Sequence, residues 1–164
     1  SISVKKLIAA TLELIEFKIP SGSVNFENKI GDDVPLVQGN FAQLQEVFFN
    51  IIDNAYDSMM ERKNAGTDAD YQPGMSFSAL PAGEMLHVTI MDNGMGIKPE
   101  NMRKLFTPLF STKKAEKKGH GLGLYVMRQI IEKNHGGRIV FSSEHTKGVK
   151  IDMYLPVVRV EQFA

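Results

Sequence analysis

Apolar residues recur along this chain at two spacings, and each spacing predicts a different kind of element. Spacings of three and four residues predict amphipathic helices over residues 3–17 and 40–63, the second with Asn40 as its N-cap. The same spacing returns over residues 121–135, and a short helix is expected near residues 99–105. The helix over residues 40–63 has the strongest pattern of the four.

Alternation of apolar and polar residues predicts strands in the remaining segments. They are a short strand around Val24 and Phe26, a hairpin of residues 75–80 and 85–91 that turns around Pro81 and Gly83, and a closing hairpin of residues 138–143 and 148–155. Residues 64–74 are polar and contain glycine, which is typical of a loop. We therefore predict an α+β fold, a two-layer α/β sandwich whose mixed, mostly antiparallel sheet is covered on one face by about three helices.

Size and composition limit the classes of protein that fit this pattern. The chain has 164 residues, 43% of them hydrophobic, which suits one domain with a sizeable core. Nineteen basic residues balance 19 acidic ones, so we expect no overall attraction to nucleic acid or to anionic membranes. There is no cysteine, which excludes disulfides and thiolate metal sites and fits a cytoplasmic location.

Membrane insertion of the chain itself is not expected, since no apolar run approaches the roughly 20 residues that cross a bilayer. The helical pattern begins almost at Ser1. The chain therefore reads as a domain of a longer protein, and that parent protein could itself be membrane-anchored.

The helix over residues 40–63 carries an unusual set of polar side chains. Glu46, Asn50, Asn54 and Asp57 are spaced by four, four and three residues, which places them within an arc of roughly 80° opposite the apolar stripe. One interpretation is a solvated helix face. Because asparagine is a poor helix former, two asparagines one turn apart also favour a functional role for their amide oxygens, such as binding Mg²⁺.

A carboxylate and two glycines follow the apolar strand of residues 85–91. Asp92 stands at the strand end, before Asn93, Gly94 and Gly96. A carboxylate in that position needs hydrogen-bond donors, and the exocyclic amine of adenine is one. The glycines permit positive φ angles and the close approach of a ligand. An ordinary exit from the strand is the alternative, because Asp-Asn-Gly is a common turn tripeptide.

A second glycine turn leads into the last predicted helix. Gly119, Gly121 and Gly123 alternate directly before the helical pattern, where backbone N–H groups at a helix start can bind phosphate. A flexible hinge is the alternative. Residues 111–118 are rich in lysine; they form either a solvated surface run or a cover that closes over phosphates.

Together these segments resemble the GHKL family of gyrase, heat-shock chaperone, histidine kinase and MutL ATPases. The resemblance is greatest to the catalytic ATP-binding domain of two-component sensor histidine kinases. The matching boxes are the N box at residues 43–57, the first glycine box at 92–97, the F box at 105–113 and the second glycine box at 119–124. The F box has the form found in kinases of the nitrogen-regulation class. The resemblance implies a Bergerat-type ATP-binding fold in a single domain over residues 1–164, with its core at about 3–157 and an ATP lid at about 97–118.

The resemblance also implies a role for each matching position. Asp92 would bond the adenine amine, and Asn54 would hold Mg²⁺ between the phosphates with Asn50 beside it. Lys104 would replace an arginine that reaches the γ-phosphate. Glu46 would polarise the nucleophile or orient an amide, which makes Glu46, Asn50 and Lys104 the predicted catalytic set. The further positions predicted to bind the cofactor are Asp57, Gly94, Gly96, Ile97, Leu105, Thr112, Lys113, Gly119, His120, Gly121, Leu122, Gly123 and Leu124.

As such a domain, the chain would bind ATP or ADP and present Mg·ATP to a histidine on a dimerising helical hairpin. The histidines of this chain, His87, His120, His135 and His145, all lack the His-Glu/Asp context of that acceptor. The hairpin is therefore expected elsewhere in the same kinase, and the isolated chain should be a poor kinase. The phosphoryl group would pass on to an aspartate of a response regulator.

Two other functions fit parts of the pattern. One is a nucleotide-binding regulatory module without kinase activity. The other is a fragment of a gyrase-type or MutL-type ATPase. Hydrolysing relatives place a glutamate base where this chain has Asn50, which argues against the second alternative.

Overall fold

Helices and strands follow one another along the chain in the predicted order. The computed structural model describes residues 1–104, 123–144 and 146–159. The helices are α1 (Val4–Leu14), α2 (Phe41–Ala65), α3 (Pro99–Met102) and α4 (Leu124–Arg128), which continues as a π-helical segment over Gln129–Asn134. The strands are β1 (Asn25–Asn28), β2 (Gly74–Ala82), β3 (Met85–Asp92), β4 (Arg138–Glu144) and β5 (Gly148–Pro156).

Helix α2 is the longest element and begins where the sequence predicts. The side chain of Asn40 accepts a hydrogen bond from the backbone N–H of Gln43 at 3.0 Å, which confirms Asn40 as the N-cap. The helix ends at Gly66, which has φ 66° in the left-handed region. Its apolar stripe is buried and consists of Leu44, Val47, Phe48, Ile51, Ile52, Ala55 and Met59. Because this stripe is buried, the opposite, polar face of α2 is the one available for ligand binding.

The five strands form one mixed sheet in the order β1-β2-β3-β5-β4. Strand β1 runs parallel to β2, and the other neighbouring pairs are antiparallel. Asp92, the last residue of β3, lies opposite Met75 of β2 and opposite Val149 of β5. The end of β3 therefore lies in the interior of the sheet, with a strand on each side.

Strand β2 is longer than its sequence suggests. The predicted turn around Pro81 is wrong in detail, because the strand continues through Pro81, which pairs with Leu86, as far as Ala82. Strand β1 pairs only with Gly74–Phe77. Proline lacks a backbone N–H. Among the described residues no strand pairs with β2 at this position on the side away from β3, so the proline is tolerated.

The hydrophobic core lies between α2 and one face of the sheet. Alternate residues of the two central strands are fully or almost fully buried: Leu86, Val88, Ile90, Ile151, Met153 and Leu155. Phe48 of α2 is likewise buried in this core. The residues between them on these strands, such as His87 and Asp152, point to the other face of the sheet and are only partly buried. The fold is thus the predicted α+β arrangement of two layers.

Some predictions fall on residues outside the described ranges. Of the predicted lid at 97–118, only residues 97–104 are described, and they include the short helix α3. None of the described helices combines the length and the hydrophobicity needed to cross a bilayer.

Candidate nucleotide-binding site

The polar face of α2 is less exposed than a simple solvated face. Asn50 is 6% exposed, and Asn54 one turn later is partly buried, whereas Glu46 is exposed. The side-chain nitrogen of Asn50 donates to the backbone carbonyl of Glu46 at 2.8 Å. This bond leaves the amide oxygen of Asn50 as its ligating atom, which is the kind of ligand that Mg²⁺ prefers.

The last member of that face takes part in an ion pair that the sequence analysis missed. Lys18, in the segment after α1, contacts Asp53 and lies 3.3 Å from Asp57 (Nζ to Oδ1). The side chain of Asp53 is 2% exposed. Burial alone would lower the pKa of Lys18, but the two carboxylates raise it above its usual value. The charge of Asp57 is therefore compensated inside the protein.

The carboxylate of Asp92 is the most strongly perturbed acid of the described site. The backbone N–H of Gly94 donates to its Oδ1 at 2.9 Å, and the backbone N–H groups of Gly94 and Val149 both act to lower the pKa of this carboxyl. Burial nevertheless dominates and raises the pKa of Asp92 to about 6. A carboxylate held with so little compensation is suited to a ligand that donates a hydrogen bond to it.

Of the two reasons predicted for a glycine at position 94, a positive φ and the close approach of a ligand, the first is wrong. Gly94 does not have a positive φ; instead, a Cβ atom on it would lie only 2.5 Å from Oγ of Ser58. The Ser58 hydroxyl accepts the backbone N–H of Met95 at 2.9 Å. Helix α2 thus packs directly on the glycine turn. Because Ser58 is one helical turn after Asn54, this contact brings Asp92 and the amides of α2 to the same place.

Gly96 does adopt the predicted backbone conformation. Its φ is 72°, and a Cβ atom here would overlap the backbone carbonyl of Glu144. The next residue, Ile97, donates its backbone N–H to Oγ of Ser143 at 2.7 Å. The turn that follows Asp92 is therefore fixed on one side by α2 and on the other by the β4–β5 hairpin.

The match to a known family covers α2, the glycine turn and the β4–β5 hairpin. Residues 39–159 match the family described as histidine kinase-, DNA gyrase B-, and HSP90-like ATPase. The chain belongs to this ATPase family. Both the predicted family and the use of ATP are consistent with its description.

Sensor kinases are prominent among the relatives of this ATPase domain. Sporulation kinase E of Bacillus subtilis (strain 168) is 30% identical over 154 residues, which is 94% of this chain and 19% of that kinase. Sensor histidine kinase ZraS of Escherichia coli (strain K12) is 30% identical over 157 residues, which is 96% of this chain and 31% of that protein. The chain thus spans less than a third of the length of either relative.

The fold matches a solved domain of the same kind. The catalytic domain of histidine kinase ThkA superposes with a TM-score of 0.75 at 24% sequence identity, covering 95% of this chain and 95% of that one. At this identity the similarity establishes the fold. The ATPase domain therefore has the architecture of a histidine kinase catalytic domain.

Other predicted residues of the ATPase domain are placed less completely. Lys104 is exposed just beyond α3, and Gly123 precedes Leu124, the first residue of α4. Seven predicted site residues lie outside the described part of the chain: Leu105, Thr112, Lys113, Gly119, His120, Gly121 and Leu122. Their assignment stays a prediction.

The donor set fits Mg²⁺ held jointly with a ligand. Among the described residues, no cluster of three or more His, Asp or Glu side chains could hold a metal ion. Asn50 and Asn54 offer two amide oxygens one turn apart. Mg²⁺ commonly takes one or two protein oxygens and completes its shell with phosphate and water. The site therefore suits magnesium that arrives with a nucleotide.

Proposed function

We propose that this chain is the ATP-binding catalytic domain of a sensor histidine kinase. It presents Mg·ATP so that the γ-phosphoryl group passes to a histidine on a separate helical hairpin, and then to an aspartate of a response regulator. The observation that carries the proposal is the partly buried, high-pKa carboxylate of Asp92, packed through Gly94 and Ser58 against the amide face of α2.

Asp92 selects the base in this proposal. Its carboxylate accepts a hydrogen bond from the 6-amine of adenine, which replaces part of the hydration lost on burial. Guanine has a carbonyl at that position, and two acceptors facing each other would repel. A buried polar group that requires a partner of one kind discriminates strongly against ligands that lack it.

Residues of α2 position the phosphates. Asn54, with Asn50 beside it, holds the magnesium ion, whose charge offsets that of the β- and γ-phosphates. Lys104 contributes a cation towards the γ-phosphate. In the transfer, a histidine nitrogen attacks the γ-phosphorus, the bond from phosphorus to the bridging oxygen breaks, and ADP leaves with the bond electrons. The residues of this chain supply position and charge rather than covalent chemistry.

Asn50 favours transfer to protein over transfer to water. An amide has no basic site that could take a proton from water at neutral pH, so general-base activation by this residue is not available. Exposed Glu46 lies one turn earlier, and we propose that it orients the nucleophile or the Asn50 amide. The other candidate, a nucleotide-binding regulatory module without transfer, has the same binding site, and an experiment is needed to distinguish it from a kinase.

The binding step is tested by calorimetric titration with ATP, with and without Mg²⁺. Asn54→Ala should weaken binding only when magnesium is present, because its role is metal ligation. Asn134→Ala, which removes an exposed asparagine at the end of the π-helical segment, is the matched control and should bind like the unmodified chain. An equal loss with and without magnesium would refute the role given to Asn54.

The transfer step is tested by adding the dimerising hairpin of a related sensor kinase together with γ-labelled ATP. Label should move to the hairpin histidine and, on addition of a response regulator, to its aspartate. Tight ATP binding without any labelled hairpin would favour the regulatory module instead. Sustained hydrolysis of ATP by this chain alone would favour the ATPase alternative.

A further inference from the structure

Asn93, the residue after Asp92, is held by several hydrogen bonds within the protein, although no ligand-binding role is assigned to it. The backbone carbonyl of Asn93 accepts Nη1 of Arg62 at 2.9 Å, and the hydroxyl of Tyr71 lies 2.9 Å from the same oxygen. The side-chain oxygen of Asn93 accepts the backbone N–H of Gly74 at 2.9 Å and lies 3.1 Å from the Tyr71 hydroxyl. Its side-chain nitrogen donates to the carbonyl of Gln72 at 2.8 Å. We call Arg62, Tyr71 and Gly74 the Asn93 clamp.

The two side chains of the clamp also support each other. Arg62 lies in the last turns of α2, and its guanidinium stacks on the ring of Tyr71 with 4.5 Å from the guanidinium carbon to the ring centroid. Burial raises the pKa of Tyr71; Arg62 lowers it, and the negative charge of Asp92 raises it again. The Tyr71 hydroxyl therefore keeps its proton and remains a donor at neutral pH.

The geometry of one peptide unit connects the clamp to Asp92. The carbonyl of Asn93 and the N–H of Gly94 belong to the same planar peptide group and point in opposite directions. Arg62 and Tyr71 hold the carbonyl end. The N–H end donates to Oδ1 of Asp92 at 2.9 Å. Fixing the carbonyl therefore fixes the donor that orients the carboxylate.

We propose that Arg62 and Tyr71 are positioning residues that set the direction of the Asp92 carboxylate and thereby the selectivity of the site for adenine. This inference rests on the proposed function, because it needs Asp92 to be the acceptor of the adenine amine. Neither residue touches the nucleotide in this scheme. Both act through the Asn93–Gly94 peptide, at the junction of α2 with the polar segment that precedes β2.

The test compares two ligands by calorimetry on the full 164-residue chain: ATP and purine riboside triphosphate, which lacks the 6-amine. Tyr71→Phe removes the shared hydroxyl, and Arg62→Met removes the charged donor at similar length. Each should weaken ATP binding by about 3- to 10-fold, the usual effect of one lost hydrogen bond. The affinity for the analogue should stay unchanged, and Arg62→Lys should recover part of the ATP affinity.

Two controls separate positioning from simple loss of structure. Tyr154→Phe removes a hydroxyl from a ring that stacks on His87, about 17 Å along β3 from Asp92, and should leave both affinities unchanged. Asp92→Asn should remove the preference for ATP over the analogue.

Each outcome decides between the claims. A selective loss of ATP affinity in the clamp variants supports the inference. Equal losses for both ligands, or no loss, in a chain that still prefers ATP would overturn the inference but not the proposed function. A wild-type chain that binds ATP and the analogue equally would overturn the role of Asp92, and the inference with it.

Discussion

Asp92 should reduce the stability of the folded chain at the pH at which it is needed for binding. Its pKa is raised from 3.8 to about 6 in the fold. A carboxyl group with a raised folded-state pKa adds stability below pH 4, and that contribution is lost as the pH rises through about 6. At about 1.4 kcal/mol per pKa unit, the ionised group costs ~3 kcal/mol at pH 7 to 8.

Replacing Asp92 by asparagine removes the charge but keeps one acceptor oxygen for the backbone N–H of Gly94. The amide has only one such oxygen and no charge, so the favourable interaction of the carboxylate with the backbone N–H of Val149 is expected to be lost at a cost of about 1 kcal/mol. The net prediction is a variant that is about 2 kcal/mol more stable than the wild type at pH 8. Near pH 4 this advantage should vanish, because the wild-type carboxyl is then protonated in the folded chain and about half protonated in the unfolded chain, so little of the cost of its charge remains.

Urea unfolding without nucleotide, followed by circular dichroism from pH 4 to pH 8, measures this difference. Asp70→Asn is the matched control, since that carboxyl group is exposed and the difference from the wild type should not vary with pH. A stability difference for Asp92→Asn that is the same at pH 4 and pH 8 would show that burial of this charge is not what limits stability.

Three further substitutions test contacts of the fold and site. Lys18→Met should lower the free energy of unfolding by about 2–3 kcal/mol at pH 7, because it leaves the buried carboxylate of Asp53 without its cation. This loss is smaller than for a fully buried ion pair, since the Lys18 side chain is 25% exposed. An unchanged urea midpoint would contradict this. Gly94→Ala should cost about 1–3 kcal/mol through overlap with Ser58, and adding Ser58→Gly should recover part of the loss in the same assay. His135→Ala should lower the melting temperature and reduce the free energy of unfolding by about 1–2 kcal/mol. Its ring accepts the backbone N–H of Asn40, the N-cap of α2, and donates to the backbone carbonyl of Ile130. Equal melting curves would show that these two bonds do not stabilise the fold.

Local pattern was sufficient for most elements of the fold. Asn40 could be identified as the N-cap of α2 because a cap is defined by its own side chain and the next few backbone groups. Pro81 was misjudged because the rule against proline in a strand depends on whether a neighbour needs its N–H. That condition is set by how far β1 extends along β2, which no local pattern contains.

The site shows the same division between local and tertiary information. Asp92 can be singled out from sequence because a carboxylate at a strand end followed by glycines is a local pattern, and its raised pKa fits the predicted need for a donor. Gly94 lacks the predicted positive φ, and the steric constraint on it comes from Ser58, which is distant in sequence and which no local pattern reveals.

The ion pair of Lys18 was missed because the two partners come from different segments. A signal did exist: Asp53 and Asp57 are four residues apart on one helix, and like charges at that spacing destabilise a helix unless a cation joins them. Sequence alone could suggest that a cation is required, but not which lysine supplies it.

The pairing of β3 with β5 has a consequence for how the sheet tolerates change. Asp92 pairs with Val149. This pairing joins the β2–β3 hairpin to the β4–β5 hairpin and closes a loop that contains all the residues between β3 and β5. The entropy of closing such a loop grows only with the logarithm of its length, and doubling the length costs roughly 0.6 kcal/mol. Insertions or deletions between α3 and α4 should therefore leave the ladder intact, and one sheet can evolve with inserts of very different size beside the same carboxylate.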